Sequence, residues 1–309
     1  MGMNEAGVHR AEPNRAISRF WPSDKLIFAY FTFTTAIEVV WFRHIPQAAW
    51  LLALHVIGVV LVVMAERSVS SNRGVVFVVR VFRHWYTLLY VACCYREMAI
   101  LIPAIRHTSA DRALADLDYA FWGVNPTVWL ERLYSPALTE FLQVIYTLFV
   151  PVVLLVPFLI WRRKRYSDFR YMAFLLSLGY LASYLGYLAV PARGPRYLLQ
   201  HLQHVPLQGV WLFHSLQATL DRLETYHYDC FPSGHTELTV LACWLSRSVS
   251  HRLFWVYFLY TICIVFATVY LRYHYTADLL AGVVVALVLI VASPALYRGL
   301  SARGDSIGD

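Results

Sequence analysis

Two histidines, His235 and His274, stand 39 positions apart, each beside residues able to put an imidazole to work. His274 is followed four residues later by Asp278 in "YLRYHYTADLLAG" (270–282). On a helix, positions four apart share a face, so the carboxylate can accept from the ring N–H. That contact fixes the tautomer and leaves the second nitrogen free as a nucleophile. His235 lies in "HYDCFPSGHTELTV" (227–240), where Pro232, Ser233 and Gly234 form a tight turn that delivers His235 and Thr236 to a helix start. The first turn of a helix presents unpaired N–H groups and the positive end of its dipole, a natural seat for phosphate. An imidazole placed there can transfer a proton near physiological pH. A third cluster, "PARGPR" (191–196), sets Arg193 and Arg196 on either side of a Gly-Pro turn. Two guanidinium groups can clamp non-bridging phosphate oxygens through charge-assisted hydrogen bonds.

These clusters must be positioned by a very apolar chain. Of its 309 residues 59% are hydrophobic and only 15% charged, against roughly 45–50% and 25% in ordinary soluble domains. Apolar runs cover roughly 26–42, 47–65, 85–105, 141–161, 171–191, 236–250, 252–271 and 277–297, approaching the ~20 residues that cross a hydrocarbon core. The expected fold is all-α, a polytopic transmembrane bundle of about eight spans. Contour length then joins the two histidines. Thirty-nine mostly helical residues extend about 58 Å at ~1.5 Å each, close to two crossings of a ~30 Å core. Both rings are expected at the same membrane face, with the basic turn "SRSVSHR" (246–252) on the other.

The net charge of +7 does not imply a nucleic-acid partner, because its distribution follows topology. With a cytoplasmic N-terminus, 17 of the 26 Lys and Arg fall on the inner side, including the block "WRRKRYSDFR" (161–170). That asymmetry sets orientation and favours anionic headgroups. Residues 26–42 are read as a retained span, since no small-residue cleavage site follows them. Segments 1–25 and 298–309 are expected to be cytoplasmic, and 26–84 to hold two accessory spans and a basic linker. Four of the five cysteines fall within spans and Cys230 has no evident mate, so neither a disulfide framework nor a zinc pattern emerges. In the outer segment 106–140, "NPTVWLERL" is expected as a short interfacial helix with Trp122 and Trp129 at headgroup depth. The stretch 192–234 has mixed helical periodicity and is placed to cap a site.

The order RGPR, PSGH and H-x-x-x-D resembles the type 2 phosphatidic acid phosphatase superfamily, which also includes glucose-6-phosphatase and the vanadium haloperoxidases. "DCFPSGHT" with "VYLRYHYTADLLAG" is most similar to the branch containing inositol phosphorylceramide synthase. The resemblance covers about residues 85–297 and implies a six-helix catalytic core. It implies that His274 attacks phosphorus to give a phosphohistidine, with Asp278 holding its ring. His235 protonates the departing alkoxide and later deprotonates water or an alcohol. Arg193, Arg196, Ser233 and the Gly234 amide stabilise the transferring group, with no metal and no other cofactor. The first motif departs from the family pattern of a lysine seven residues before the arginine: Gly186 and Ala189 stand at those places. Thr268 replaces an arginine six before His274, and Arg272 is the candidate for the missing charge.

The expected function is a membrane lipid phosphatase acting on a lipid phosphate at the extracytoplasmic face of a bacterial inner membrane. A phosphotransferase that moves a phospho-headgroup onto a lipid alcohol is the alternative. A non-catalytic transporter or lipid-binding scaffold is the reading from another class, supported by Arg96 and Glu97 at membrane depth. A structural ion pair to another span, with Glu38 as one acid in reach, accounts for that pair equally well. His201, His204, His214 and His227 crowd one outer loop at spacings that fit no common metal pattern. Tyr180, Tyr184 and Tyr187 recur at helical spacing and are expected to pack between helices.

Overall fold

A computed structural model describes residues 20–67, 73–223 and 228–301. The expectations for most of 1–25, for the tail beyond 301 and for His227 lie outside the described residues. Within them the chain is helical throughout. In order come α1 (Pro22–Val40), α2 (Ala48–Arg67), α3 (Arg73–Ile105), α4 (Asp111–Trp122), α5 (Pro126–Trp129), α6 (Pro136–Thr147), α7 (Phe149–Arg162), α8 (Tyr166–Ala189), α9 (Pro195–Leu198), α10 (Phe213–Leu223), α11 (Gly234–Ser246), α12 (His251–Tyr270) and α13 (Thr276–Leu300). Short 3-10 turns at Leu130–Leu133 and Gln200–Leu202 complete them.

Each of the eight apolar runs became a helix or a helix pair, but they are not equivalent. Among the described residues, four helices are long and apolar enough to cross a membrane: α3 over Phe77–Ile105, α8, α12 and α13. A fifth crossing results if α6 and α7, bent by 45°, are taken together. The count of about eight is therefore revised to four or five. Asp24, Lys25, Glu38 and several threonines dilute α1. Its neighbour α2 has a short apolar stretch, Ala48–Met64. With 13 residues, α11 reaches only ~20 Å at ~1.5 Å per residue.

The architecture centres on α8, whose apolar side chains are buried on almost every face, as expected of a helix enclosed by others. Phe169, Met172, Leu175 and Leu176 pack with Leu238 and Leu241 of α11 and with Val153, Val156 and Ile160 of α7. On its other side, Leu181, Tyr184 and Tyr187 join Ile27 and Phe31 of α1 and Val91 and Met98 of α3. The tyrosines thus pack between helices, and Tyr184 also donates to the Val91 carbonyl at 2.8 Å.

Loops sort cleanly to two ends of the bundle. At one end Arg163 and Arg165 donate to the Val249 and Ser248 carbonyls, at 3.0 and 2.9 Å, so the basic block clasps the α11–α12 turn. The end of α3, the end of α8 and the starts of α11 and α13 all meet at the other. There Arg106 donates to the Leu188 carbonyl at 3.0 Å, and the Ala110 amide to Pro191 at 2.8 Å. Segment 106–140, expected as a loop with one short helix, in fact begins with the three-turn helix α4. The "NPTVWLERL" stretch folds as α5 and a 3-10 turn, with Trp122 and Trp129 half-exposed.

Candidate active site

Three backbone strands of irregular chain meet at that end, and their own hydrogen bonds build the site. The Ser233 amide donates to the Asp278 carbonyl at 3.1 Å, and the Cys230 amide to Ala192 at 3.2 Å. The Arg196 amide donates to the Arg272 carbonyl at 3.1 Å. Gly194 lies at φ +98°, and a Cβ there would come within 2.5 Å of the Tyr273 carbonyl oxygen. Only glycine turns the chain this tightly against the 270–275 loop. The loop itself reverses at Arg272, a non-glycine residue at φ +68°, an uncommon conformation for such a side chain. The Tyr273 and His274 amides then both donate to the Thr268 carbonyl, at 2.8 and 3.1 Å.

The result brings His235 and His274 together, with ring centroids 5.7 Å apart. His274 Nδ1 faces Asp278 Oδ2 at 3.4 Å, and both residues are buried. The same oxygen accepts the Tyr275 amide at 2.9 Å and the Cys230 thiol at 2.8 Å. With Nδ1 turned to the carboxylate, Nε2 is the nitrogen left for chemistry. His235, at the first turn of α11, is held between aromatic rings: Tyr146 stacks on it at 4.4 Å, and Phe149 lies at the same distance. Arg193 and Arg196 complete the wall of a small cleft with Tyr146, Asp229, Cys230, His235, Tyr273 and His274. The free space is only about 20 Å³, enough for a single water. Arg193 lies over the Tyr197 ring at 4.1 Å, and Arg196 pairs with Asp221 at 3.1 Å.

Four sequence-predicted residues do not line this cleft, and Asp278 is one of them, reaching it only through His274. Ser233 is fully buried, and its oxygen caps α11, accepting from the Thr236 amide and hydroxyl at 3.4 and 3.1 Å. Gly234 is packed against α8, where a Cβ would run into the Tyr187 hydroxyl at 2.5 Å. Arg272 turns away. Its guanidinium donates to Glu131 at 2.8 Å, the Val205 carbonyl at 2.6 Å and Gln203 at 3.3 Å. It therefore buttresses the outer loops and does not supply the charge that Thr268 lacks. At Gly186, one of the two places where the family pattern would put its lysine, a side chain would collide with the Pro232 ring of the PSGH turn.

Two aspartates do structural work that the loop reading of 106–140 concealed. Asp111 accepts the Arg193 and Gly194 amides at 2.8 and 2.7 Å, and the Tyr275 hydroxyl at 3.0 Å. One turn pair later, Asp118 accepts the Thr276 amide, the Thr276 hydroxyl and the Ala277 amide at 2.7–2.9 Å, so it caps α13. Their spacing of seven places them on one face of α4, a signal that "DRALADLD" carried. Cys230 escaped notice because a lone thiol has no spacing to read. Burial, followed by the Asp278 charge, pushes its pKa well above the usual thiol value, so it stays a protonated donor at neutral pH. Donor atoms of Cys230, His274 and Asp278 also lie within 4.8 Å of one another, near enough to share a cation. Among the described residues, no such group joins His201, His204 and His214.

Beside the cleft runs a large apolar groove of about 710 Å³ between the Trp122–Leu130 segment and α12, reaching Thr276 and Leu279 at the start of α13. Its walls include Trp122, Trp129, Ile262, Val265 and Phe266. No curated protein and no solved structure matches the chain. The PAP2 superfamily model does, over residues 112–292, a stretch that contains both histidines, Asp278, Arg193 and Arg196. The chain therefore belongs to the PAP2 superfamily, as an integral-membrane protein of its lipid phosphatase or phosphotransferase type.

Proposed function

We propose that the protein is a lipid phosphatase that works through a phosphohistidine, with residues 85–297 as its catalytic domain. The observation that carries this reading is the convergence of His274, Asp278, His235 and two arginines on one cleft. The apolar groove alongside suits the acyl chains of the substrate. In the first step His274 Nε2 bonds to phosphorus as the ester P–O bond breaks, and His235 gives its proton to the departing alkoxide. In the second, His235 takes a proton from water, whose oxygen attacks phosphorus, and the N–P bond breaks. Arg193 and Arg196 neutralise charge on the equatorial oxygens in both steps. Neither step is routed through a metal. The basic block at the opposite end of the bundle supports an extracytoplasmic cleft.

A transferase resembling inositol phosphorylceramide synthase is the second reading, favoured by a specific feature. His274 is 4% exposed in a cleft with room for one water, and the adjacent groove would admit a lipid alcohol as readily as a lipid phosphate. Purified protein incubated with labelled lipid phosphate or phospholipid, with and without alcohol acceptors, separates the two. Free phosphate marks the phosphatase, and a new phospholipid marks the transferase. His274→Ala and His235→Ala each abolish turnover under both readings. Turnover that survives His274→Ala removes the mechanism, and wild-type protein that turns over neither substrate leaves the non-catalytic scaffold standing.

A further inference from the structure

A second cluster of reactive groups sits away from the cleft, where α1, α2 and α3 meet. Glu38, His55 and Glu97 come from three different helices, and one donor atom from each lies within 4.8 Å of the other two. His55 Nε2 is 3.4 Å from Glu97 Oε2, and Nδ1 is 3.7 Å from Glu38 Oε2. Glu38 is 0% exposed and Glu97 4%. Both oxygens of Glu38, and Oε1 of Glu97, have no hydrogen-bond partner. Among the described residues, both glutamates form ion pairs with His55 alone. A buried carboxylate without partners is strongly disfavoured, and one imidazolium offsets one negative charge, not two.

We propose that Glu38, His55 and Glu97 bind a single divalent transition-metal ion of the zinc class. Two carboxylate oxygens and an imidazole nitrogen form a donor set that zinc accepts. Magnesium and calcium demand six or more oxygens, which surroundings built from Ile27, Phe31 and Leu51 do not provide. One edge already matches: a tetrahedron with bonds of about 2.1 Å has edges of about 3.4 Å, the separation of Nε2 from the Glu97 oxygen, while the Glu38 oxygen, 3.7 Å from Nδ1, must swing toward Nε2 to complete the set. With Nε2 on the metal, Nδ1 keeps its proton and donates to Thr35 Oγ1, 2.9 Å away. A metal-bound histidine commonly has such a partner on its other nitrogen. Phe31 stacks on the imidazole at 4.4 Å and 19°, fixing its plane. The ion would tie α1 and α2 to α3. Two residues before Glu97 on α3, Tyr95 donates to Asp229 of the catalytic cleft at 2.8 Å, so the tie steadies one wall of that cleft.

The test uses the full-length protein purified in detergent from zinc-supplemented cells. Elemental mass spectrometry is expected to find one zinc per chain, with a melting midpoint that falls on chelation and recovers when zinc chloride is added. Glu38→Gln and Glu97→Gln, which keep side-chain volume, are expected to carry no zinc and to melt independently of it. Wild-type protein that holds no metal and melts unchanged after zinc addition overturns the proposal, because the two acids are then simply protonated. Equal zinc in wild type and both variants overturns it too. If the variants fail to fold, zinc-edge X-ray absorption of the wild type decides. Nitrogen and oxygen neighbours with one imidazole are expected, whereas a sulfur neighbour, from Cys94 of the same cluster or from Cys230, overturns the three-residue assignment.

Discussion

The Cys230 thiol donates at 2.8 Å to the carboxylate oxygen of Asp278 that faces His274, so the aspartate serves a thiol and an imidazole at once. Burial and the neighbouring Asp278 charge raise the thiol pKa well above its usual value. Because the shift is upward, the thiolate fraction at neutral pH is smaller than for a free cysteine, and reactivity appears only as pH rises well past the ordinary thiol range. Cys230 is therefore expected to resist iodoacetamide at neutral pH in the folded protein and to label after denaturation. Peptide mass spectrometry reads both states, and rapid labelling of the native protein contradicts the contact.

Asp111 holds the Arg193 and Gly194 amides from beneath. Asp111→Ala strands three inward-facing donors, the two amides and the Tyr275 hydroxyl, at about 1–3 kcal/mol each, and releases the arginine turn. Thermal unfolding should shift down, and KM for a lipid phosphate should rise more than kcat falls. An unchanged KM would mean that the turn holds its shape without the carboxylate.

Gly194→Ala places a Cβ against the Tyr273 carbonyl at a positive φ. Strain of this kind amounts to about 1–3 kcal/mol, and the chain next to both Arg196 and His274 must shift to relieve it. Activity is expected to drop at least tenfold in a protein that still inserts into membranes. Full activity in this variant would show that the turn has another way to pack.

Arg272 and Arg196 should separate kinetically. Arg272→Gln breaks the partly buried pair with Glu131 and is expected to lower stability with KM unchanged, and Glu131→Gln should mimic it. Arg196→Ala removes a cleft residue and should raise KM by roughly ten- to a hundredfold, the equivalent of ~1.5–3 kcal/mol for a charge-assisted contact. Matching KM effects in the two arginine variants would return Arg272 to the phosphate site.

Asp221 pairs with Arg196 at 3.1 Å from a half-exposed position, so a substrate phosphate bound by Arg196 would have to compete with it. Exposed pairs contribute only about 0–1 kcal/mol. Asp221→Asn is thus expected to lower KM by a few-fold at low salt and to leave it unchanged at high salt. A raised KM would mean that Asp221 positions the arginine and does not compete for it.

Local spacing made much of this protein legible before any fold was known. A step of four positions from His274 to Asp278 set a carboxylate beneath a ring, because a helix repeats on that interval. A step of 39 positions from His235 to His274 returned both rings to one end, because helical rise fixes contour length. The apolar runs gave every main helix, but not which of them are long enough to span. What spacing cannot express is contact between segments remote in the chain. Arg272 looked like a spare charge until folding set Glu131 beside it, 141 residues away. Glu97 stood out at membrane depth with Glu38 as an acid in reach, but His55 gave no signal until packing aimed all three into one apolar interior. Gly186 has no room for a side chain because the PSGH turn lands on it. Sequence determined which groups could react, through periodicity along each helix; tertiary packing decided which charges line the cleft and which face one another, because distance and burial arise only between helices.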